Sequence, residues 1–125
     1  MKPIILIVDD DLSLRSAVAE LLDAAGFSTV QAANGYDAVQ QMEIFNPSLI
    51  LTGLLLPIMD GLDLLKTIQS SHLYNHIPLV FLLSSPEDAL RLRNNGWQFA
   101  DFIHKPIDPI KLKQTVLKHL PPGNS

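Results

Sequence analysis

The stretch SLILTGLLLPIMDG, residues 48–61, decides how the chain is read. Residues 49–52 form a short apolar run of the kind that is buried in a sheet, and Asp60-Gly61 opens a helix over 61–70. Between them stands Gly53, where the apolar strand should end. Glycine offers no side chain to pack or to react, and it weakens a strand interior. The reason for it has to come from the rest of the chain.

Outward from this stretch, short apolar runs alternate with helical patterns. Residues 4–8 are a solid run of isoleucine, leucine and valine. Leu14, Val18, Leu21 and Ala25 then recur at helical spacing and Gly26 supplies a stop. Residues 28–32 form a weaker strand. Asn34-Gly35 starts a helix carrying Ala38, Val39 and Met42, which Asn46-Pro47 closes. Residues 78–83 form a fourth strand, and Ser85-Pro86-Glu87-Asp88 reads as a helix start with a serine cap, proline at the first position and acids in the first turn. Residues 102–104 make a short fifth strand. Asp108-Pro109 repeats the device before a last helix with Leu112, Val116 and Leu120 on one face.

Five strand-then-helix units, with strands apolar throughout, predict a parallel sheet covered on both faces. Right-handed crossovers make this a doubly wound α/β domain over 1–120, with 121–125 a tail or linker stub. In such folds ligands sit beyond the carboxyl ends of the strands.

Composition narrows the function classes. The chain has 125 residues, 47% of them hydrophobic and 18% charged, enough to bury a core and too apolar for disorder. A net charge of −4 gives no electrostatic reason to bind nucleic acid or an anionic membrane. There is no cysteine, so no disulfide framework or thiolate metal site exists, which suits a reducing cytoplasm. The first apolar run is too short for a signal-peptide core or a membrane span.

The strand ends carry the chemistry. The first strand ends in Asp9-Asp10-Asp11 and the fifth in Lys105-Pro106, so carboxylates and one lysine converge on one edge of the sheet. Acids that follow directly on a buried strand need a cation or a metal to offset their repulsion. His72 and His76 are four apart, but Asn75 and Pro78 argue against a helix through them, so they read as surface histidines.

ILIVDDD, then Leu12 to Arg15, LLLPIMDG and HKPID resemble, in this order and spacing, the receiver domain of two-component response regulators. The likeness spans almost the whole chain, from Ile4 to Leu120. It implies a flavodoxin-like, chemotaxis-receiver-like fold: a five-stranded parallel sheet of order 2-1-3-4-5 with five helices. It also implies Mg²⁺ at Asp10 chiefly, with Asp9 acting partly through water, and a contribution from the Leu55 backbone carbonyl. Lys105 would contact the phosphoryl group, next to a cis bond to Pro106.

The sequence departs from this pattern at the decisive place. The family's phosphoacceptor aspartate lies four residues before the loop proline, and counting back from Pro57 lands on Gly53. The nucleophile is absent, and one metal ligand with it. Thr52 is adjacent but on the opposite strand face, and reads as a buried threonine. The position for a switch threonine or serine falls on Leu83 by count, or on Ser84 if Trp97 to Asp101 hides a one-residue gap. The aromatic switch position is Phe102, which lacks a tyrosine hydroxyl.

These features imply a degenerate receiver, not an enzyme, acting through protein contacts independently of phosphorylation. The expected partners are a signalling kinase, an output domain or another receiver, with the chain itself a monomer or weak homodimer in the cytoplasm. Trp97, Phe99 and Phe102 are the candidate partner surface, with core packing the competing role for Trp97 and Phe99. No cofactor is required, and any Mg²⁺ binding is weak. The alternative is an ordinary aspartyl-phosphate receiver carrying an Asp-to-Gly change at position 53. A small flavodoxin-like enzyme is disfavoured, since acids and not a glycine-rich phosphate loop follow the first strand.

Overall fold

The computed structural model describes residues 2–121, so of the expected tail only Pro121 falls within it. Ten elements alternate along the chain: β1 Ile4–Val8, α1 Leu12–Ala24, β2 Ser28–Ala32, α2 Gly35–Phe45, β3 Leu49–Gly53, α3 Gly61–Gln69, β4 Leu79–Leu83, α4 Pro86–Arg93, β5 Asp101–His104 and α5 Pro109–His119. The strands form one parallel sheet in the order β2-β1-β3-β4-β5, the flavodoxin-like arrangement expected.

Strand alternation divides the core into two layers. Ile5, Ile7, Leu49, Leu51, Val80, Leu82 and Ile103 face α1 and α5, where Val18, Leu22, Leu112 and Val116 meet them. Leu6, Val8, Ile50, Phe81 and Leu83 face α2, α3 and α4, against Met42, Leu64, Leu65, Ile68 and Leu92. Each fully buried aliphatic side chain contributes roughly 1.5–3 kcal/mol. A one-residue slip of a strand would exchange its two sets of contacts, so packing holds the register.

Helix starts follow local chemistry. The Asp11 carboxylate accepts from the N–H groups of Ser13 and Leu14 at 3.0 and 3.2 Å, and Asn34, Asp60 and Asp108 cap α2, α3 and α5 through their side chains. The serine cap expected at α4 is a correction: Ser85 precedes the helix, but its side chain makes no cap hydrogen bond. Pro86 at the helix start, with Glu87 and Asp88 in the first turn, favours the helix there without it. The remaining differences are single residues at element ends: α3 stops at Gln69 and β4 begins at Leu79. β3 takes in Gly53, whose backbone pairs with Leu82, and β5 begins at Asp101.

Candidate functional site

The pairing registers bring the expected residues together. Val8 pairs with Thr52 and Gly53 with Leu82, so Asp9, just past the end of β1, lies beside Gly53, the last residue of β3. Leu83 pairs with His104, which puts Ser84 beside Lys105 one step further along β4 and β5. Asp9, Gly53, Ser84 and Lys105 share strand parity with the α1/α5 layer. A cavity of about 90 Å³ opens among Asp10, Gly53, Leu55, Ser84, Asp88 and Lys105.

Alternation also separates the two candidates for the hydroxyl position. Leu83 is fully buried in the layer facing α2, α3 and α4, whereas Ser84 lines the cavity. Counting residues could not distinguish them. Thr52 is likewise fully buried and donates its hydroxyl to the Gly53 carbonyl at 2.9 Å.

Asp9 is the centre of the site. Its side chain is only 1% exposed, and Lys105 Nζ donates to its Oδ2 at 2.9 Å. The Asp11 N–H donates to its Oδ1 at 3.0 Å, and Arg15 Nη1 donates to its backbone carbonyl at 2.7 Å. A buried carboxylate without such partners would cost several kcal/mol. Lys105 is next to a cis bond to Pro106.

Asp9 and Leu56 lie close to Gly53. A Cβ placed on Gly53 would lie 2.9 Å from Asp9 Oδ2 and 3.3 Å from Leu56 Cδ2. On its other side the backbone is pressed by α3, since a Cβ on Gly61 would come within 2.1 Å of the Gly53 carbonyl oxygen. Gly61 therefore has to be glycine for β3 and α3 to meet.

These donors do not fit a Mg²⁺ centre. Asp9 is buried and already neutralised by Lys105, Asp10 is exposed, and the Leu55 carbonyl adds no charge. Mg²⁺ is bound by oxygen in near-octahedral geometry, commonly through carboxylates. Among the described residues no group of three or more His, Cys, Asp and Glu side chains could hold a metal ion.

Asp88 lines the cavity and was not foreseen as a site residue. It is 7% exposed and lies 4.0 Å from Arg91. In the sequence Asp88 reads as an acid in the first turn of a helix, and strand parity, which places the other site residues, does not extend to a helix. Of the expected partner residues, Trp97 is 36% exposed, while Phe99 packs edge-on against Phe81 at 5.4 Å between ring centroids. Phe102 is half-buried, with the His104 ring edge-on to it at 5.4 Å and the Arg93 guanidinium 5.8 Å above it. Phe99 thus has a packing role whatever else it touches.

Comparison with known proteins converges on one family. The family described as response regulator receiver domain matches residues 5–117. The chain is 31% identical, over 97% of its length, to the phosphate regulon transcriptional regulatory protein PhoB of Pseudomonas aeruginosa. Among solved structures, the signal receiver domain of a signal transduction histidine kinase from Syntrophus aciditrophicus superposes with a TM-score of 0.84 at 32% identity, covering 94% of this chain and 89% of that one. The chemotaxis response regulator CheY4 of Vibrio cholerae shares the fold at a TM-score of 0.87 and 23% identity, over 96% of this chain and 100% of that one. Coverage of curated relatives is uneven: the chain spans 7% of one hybrid histidine kinase and 54% of PhoB, but 96% of the polar-differentiation response regulator DivK of Brucella anthropi, to which it is 27% identical. Among the described residues no helix is long and apolar enough to cross a membrane.

Proposed function

Because the chain belongs to the response regulator receiver domain family, we propose that it is a receiver of signal transduction that works by protein–protein contact and not by an aspartyl phosphate. The observation that carries this reading is at Gly53. Position 53 has no side-chain oxygen, and Asp9 and Leu56 crowd the volume an aspartate would need. Phosphoryl transfer to a receiver forms a bond from a carboxylate oxygen to phosphorus as the donor's bond breaks. Gly53 supplies no such oxygen, and Thr52, the nearest hydroxyl along the chain, is fully buried and bonded to the Gly53 carbonyl.

The unit is residues 1–120, and its place is the cytoplasm with its signalling partners. A kinase, an output domain or another receiver would engage the α4–β5–α5 side, where Trp97 and the Phe102–Arg93 pair present aromatic and cationic surface. Lys105, which would contact a phosphoryl group in an active receiver, and Asp9, which would help to hold Mg²⁺, here pair with each other and keep the strand ends together. No cofactor is required for this role.

The retained Asp9, Asp10 and Lys105 favour a second reading, an ordinary receiver carrying an Asp-to-Gly change. Incubation with acetyl phosphate followed by intact-mass measurement tests both. The chain as it stands should gain no phosphate, and a gain would overturn the first reading. Phosphorylation of Gly53→Asp to high occupancy would support the second.

A further inference from the structure

We propose that the cavity at the carboxyl edge of the sheet receives an arginine side chain of a partner protein, its guanidinium held between Asp88 and Asp10. This assignment rests on the reading of the chain as a receiver that works by protein contact, and it names the chemistry of that contact. The cavity, about 90 Å³, is far below the roughly 300 Å³ at which pockets for drug-sized ligands begin. It suits a side-chain head group and not a nucleotide.

Asp88 is the buried acid of the site. It is 7% exposed and lines the cavity from the first turn of α4. Its N–H donates to the Ser85 carbonyl, but among the described residues no hydrogen bond reaches its carboxylate. Its ionic neighbour Arg91 stands 4.0 Å away with 60% of its side chain in solvent, an arrangement that contributes little. A buried carboxylate so weakly compensated favours a charged donor arriving from outside.

The other groups on the cavity set the sign and shape of that donor. Lys105 is paired with Asp9 at 2.9 Å, whereas Asp10 is exposed and, among the described residues, in no hydrogen bond or ion pair. An anion would meet two carboxylates, and a metal ion would lack a third carboxylate or histidine. A guanidinium spreads one positive charge over five N–H donors in a plane. It can therefore serve a carboxylate from the end of β1, another from α4 and the Ser84 hydroxyl together. An ammonium is a point charge and matches such a spread less well.

The rim identifies a protein as the source. Leu55 on the cavity wall is 65% exposed, Ile58 in the same β3–α3 connection 83%, and Leu12 at the start of α1 63%. These connections follow strands of one parallel sheet, so all three residues lie at its carboxyl edge. Exposed apolar side chains around a charged pocket match the anatomy of protein interfaces, in which arginine is a favoured anchor.

Calorimetry on the full chain tests this with a short acetylated peptide that carries a central arginine between two leucines. Its counterparts carry lysine, or citrulline, which is uncharged but similar in shape. The arginine peptide should bind, the other two about tenfold or more weakly, and arginine binding should fall about tenfold in Asp88→Asn. Ile58→Asn should weaken the arginine peptide without removing its preference over citrulline. Circular dichroism and melting show which variants are folded; where Asp88→Asn does not fold, Asp10→Asn at its exposed position takes its place with the same loss expected. No binding of the arginine peptide, equal binding of the citrulline or lysine peptide, or unchanged binding by the folded Asp variant overturns the proposal. Intact mass after acetyl phosphate treatment of the same sample separates the two readings. A phosphate gained overturns the phosphorylation-independent receiver, whereas absent arginine binding with no phosphate gained overturns the arginine site alone.

Discussion

Lys105 Nζ lies 2.9 Å from Asp9 Oδ2, and the same carboxylate oxygen is the atom that a Cβ on Gly53 would approach to 2.9 Å. The ion pair and the glycine are thus one arrangement. The carboxylate that pairs with the lysine stands in the space that a side chain at position 53 would take. The strand ends are neutralised from within the chain.

Breaking that pair leaves Asp9 charged in a place where it is 1% exposed. Lys105→Met is expected to lower unfolding free energy by about 3 kcal/mol at neutral pH, read from urea denaturation. Lys105→Met combined with Asp9→Asn should recover part of the loss, since the stranded charge is gone. Equal stability of Lys105→Met and the parent would show that the pair contributes nothing.

Gly53→Asp restores a carboxylate but must push aside Asp9 Oδ2 and Leu56. It should cost about 1–3 kcal/mol without metal, through crowding and like-charge repulsion. It should also raise Mg²⁺ affinity, followed by Trp97 fluorescence or calorimetry. Equal Mg²⁺ binding by the two forms would refute this.

Gly61→Ala is predicted to be the more severe glycine substitution. Its Cβ meets backbone, the Gly53 carbonyl oxygen at 2.1 Å, which cannot rotate away as a side chain can. A loss of about 3 kcal/mol or more is expected from thermal and denaturant unfolding.

Ile58 sits at φ 67° with 83% of its surface exposed. A β-branched residue in the left-handed region is strained, and exposure leaves little packing to offset it. Ile58→Asn or Ile58→Gly should raise stability by about 1 kcal/mol. An unchanged or lower melting temperature would contradict that account.

Acid should weaken the join between β5 and α5. Burial alone would raise the Asp101 carboxyl, but the His119 side chain 3.0 Å away, the Phe102 N–H and the charges of His119 and Lys118 together hold it below its ordinary 3.8. A carboxyl whose pKa is lower when folded stabilises fully above its unfolded value, and that stability is lost as pH falls through the folded one. Asp101→Asn should therefore be less stable than the parent at neutral pH, with the difference shrinking at pH values below about 3.8. A difference that stays constant with pH would remove the ion pair as the cause.

Much of this architecture was legible in the sequence because its signals are local. Apolar runs of strand length, helical spacing of leucine and valine, and an acid or asparagine before each of four helices are set by neighbours in the chain. Ser85 looked like those caps but makes no cap bond, because α4 starts there without needing one. Gly53 was also legible as the end of β3, four residues before Pro57.

What the sequence by itself determined is the five-unit α/β order, the receiver likeness, and a residue without a side chain at position 53. The tertiary structure alone decided which atoms surround that position. Asp9 and Lys105 are far apart in the chain, and only the pairing of β1, β3, β4 and β5 brings them to 2.9 Å. Ser84 rather than Leu83 on the cavity wall and Asp88 entering from α4 are likewise consequences of strand parity and helix packing. Counting along a chain measures spacing within an element. The face that an element turns to its neighbour is settled when the two layers of the core close.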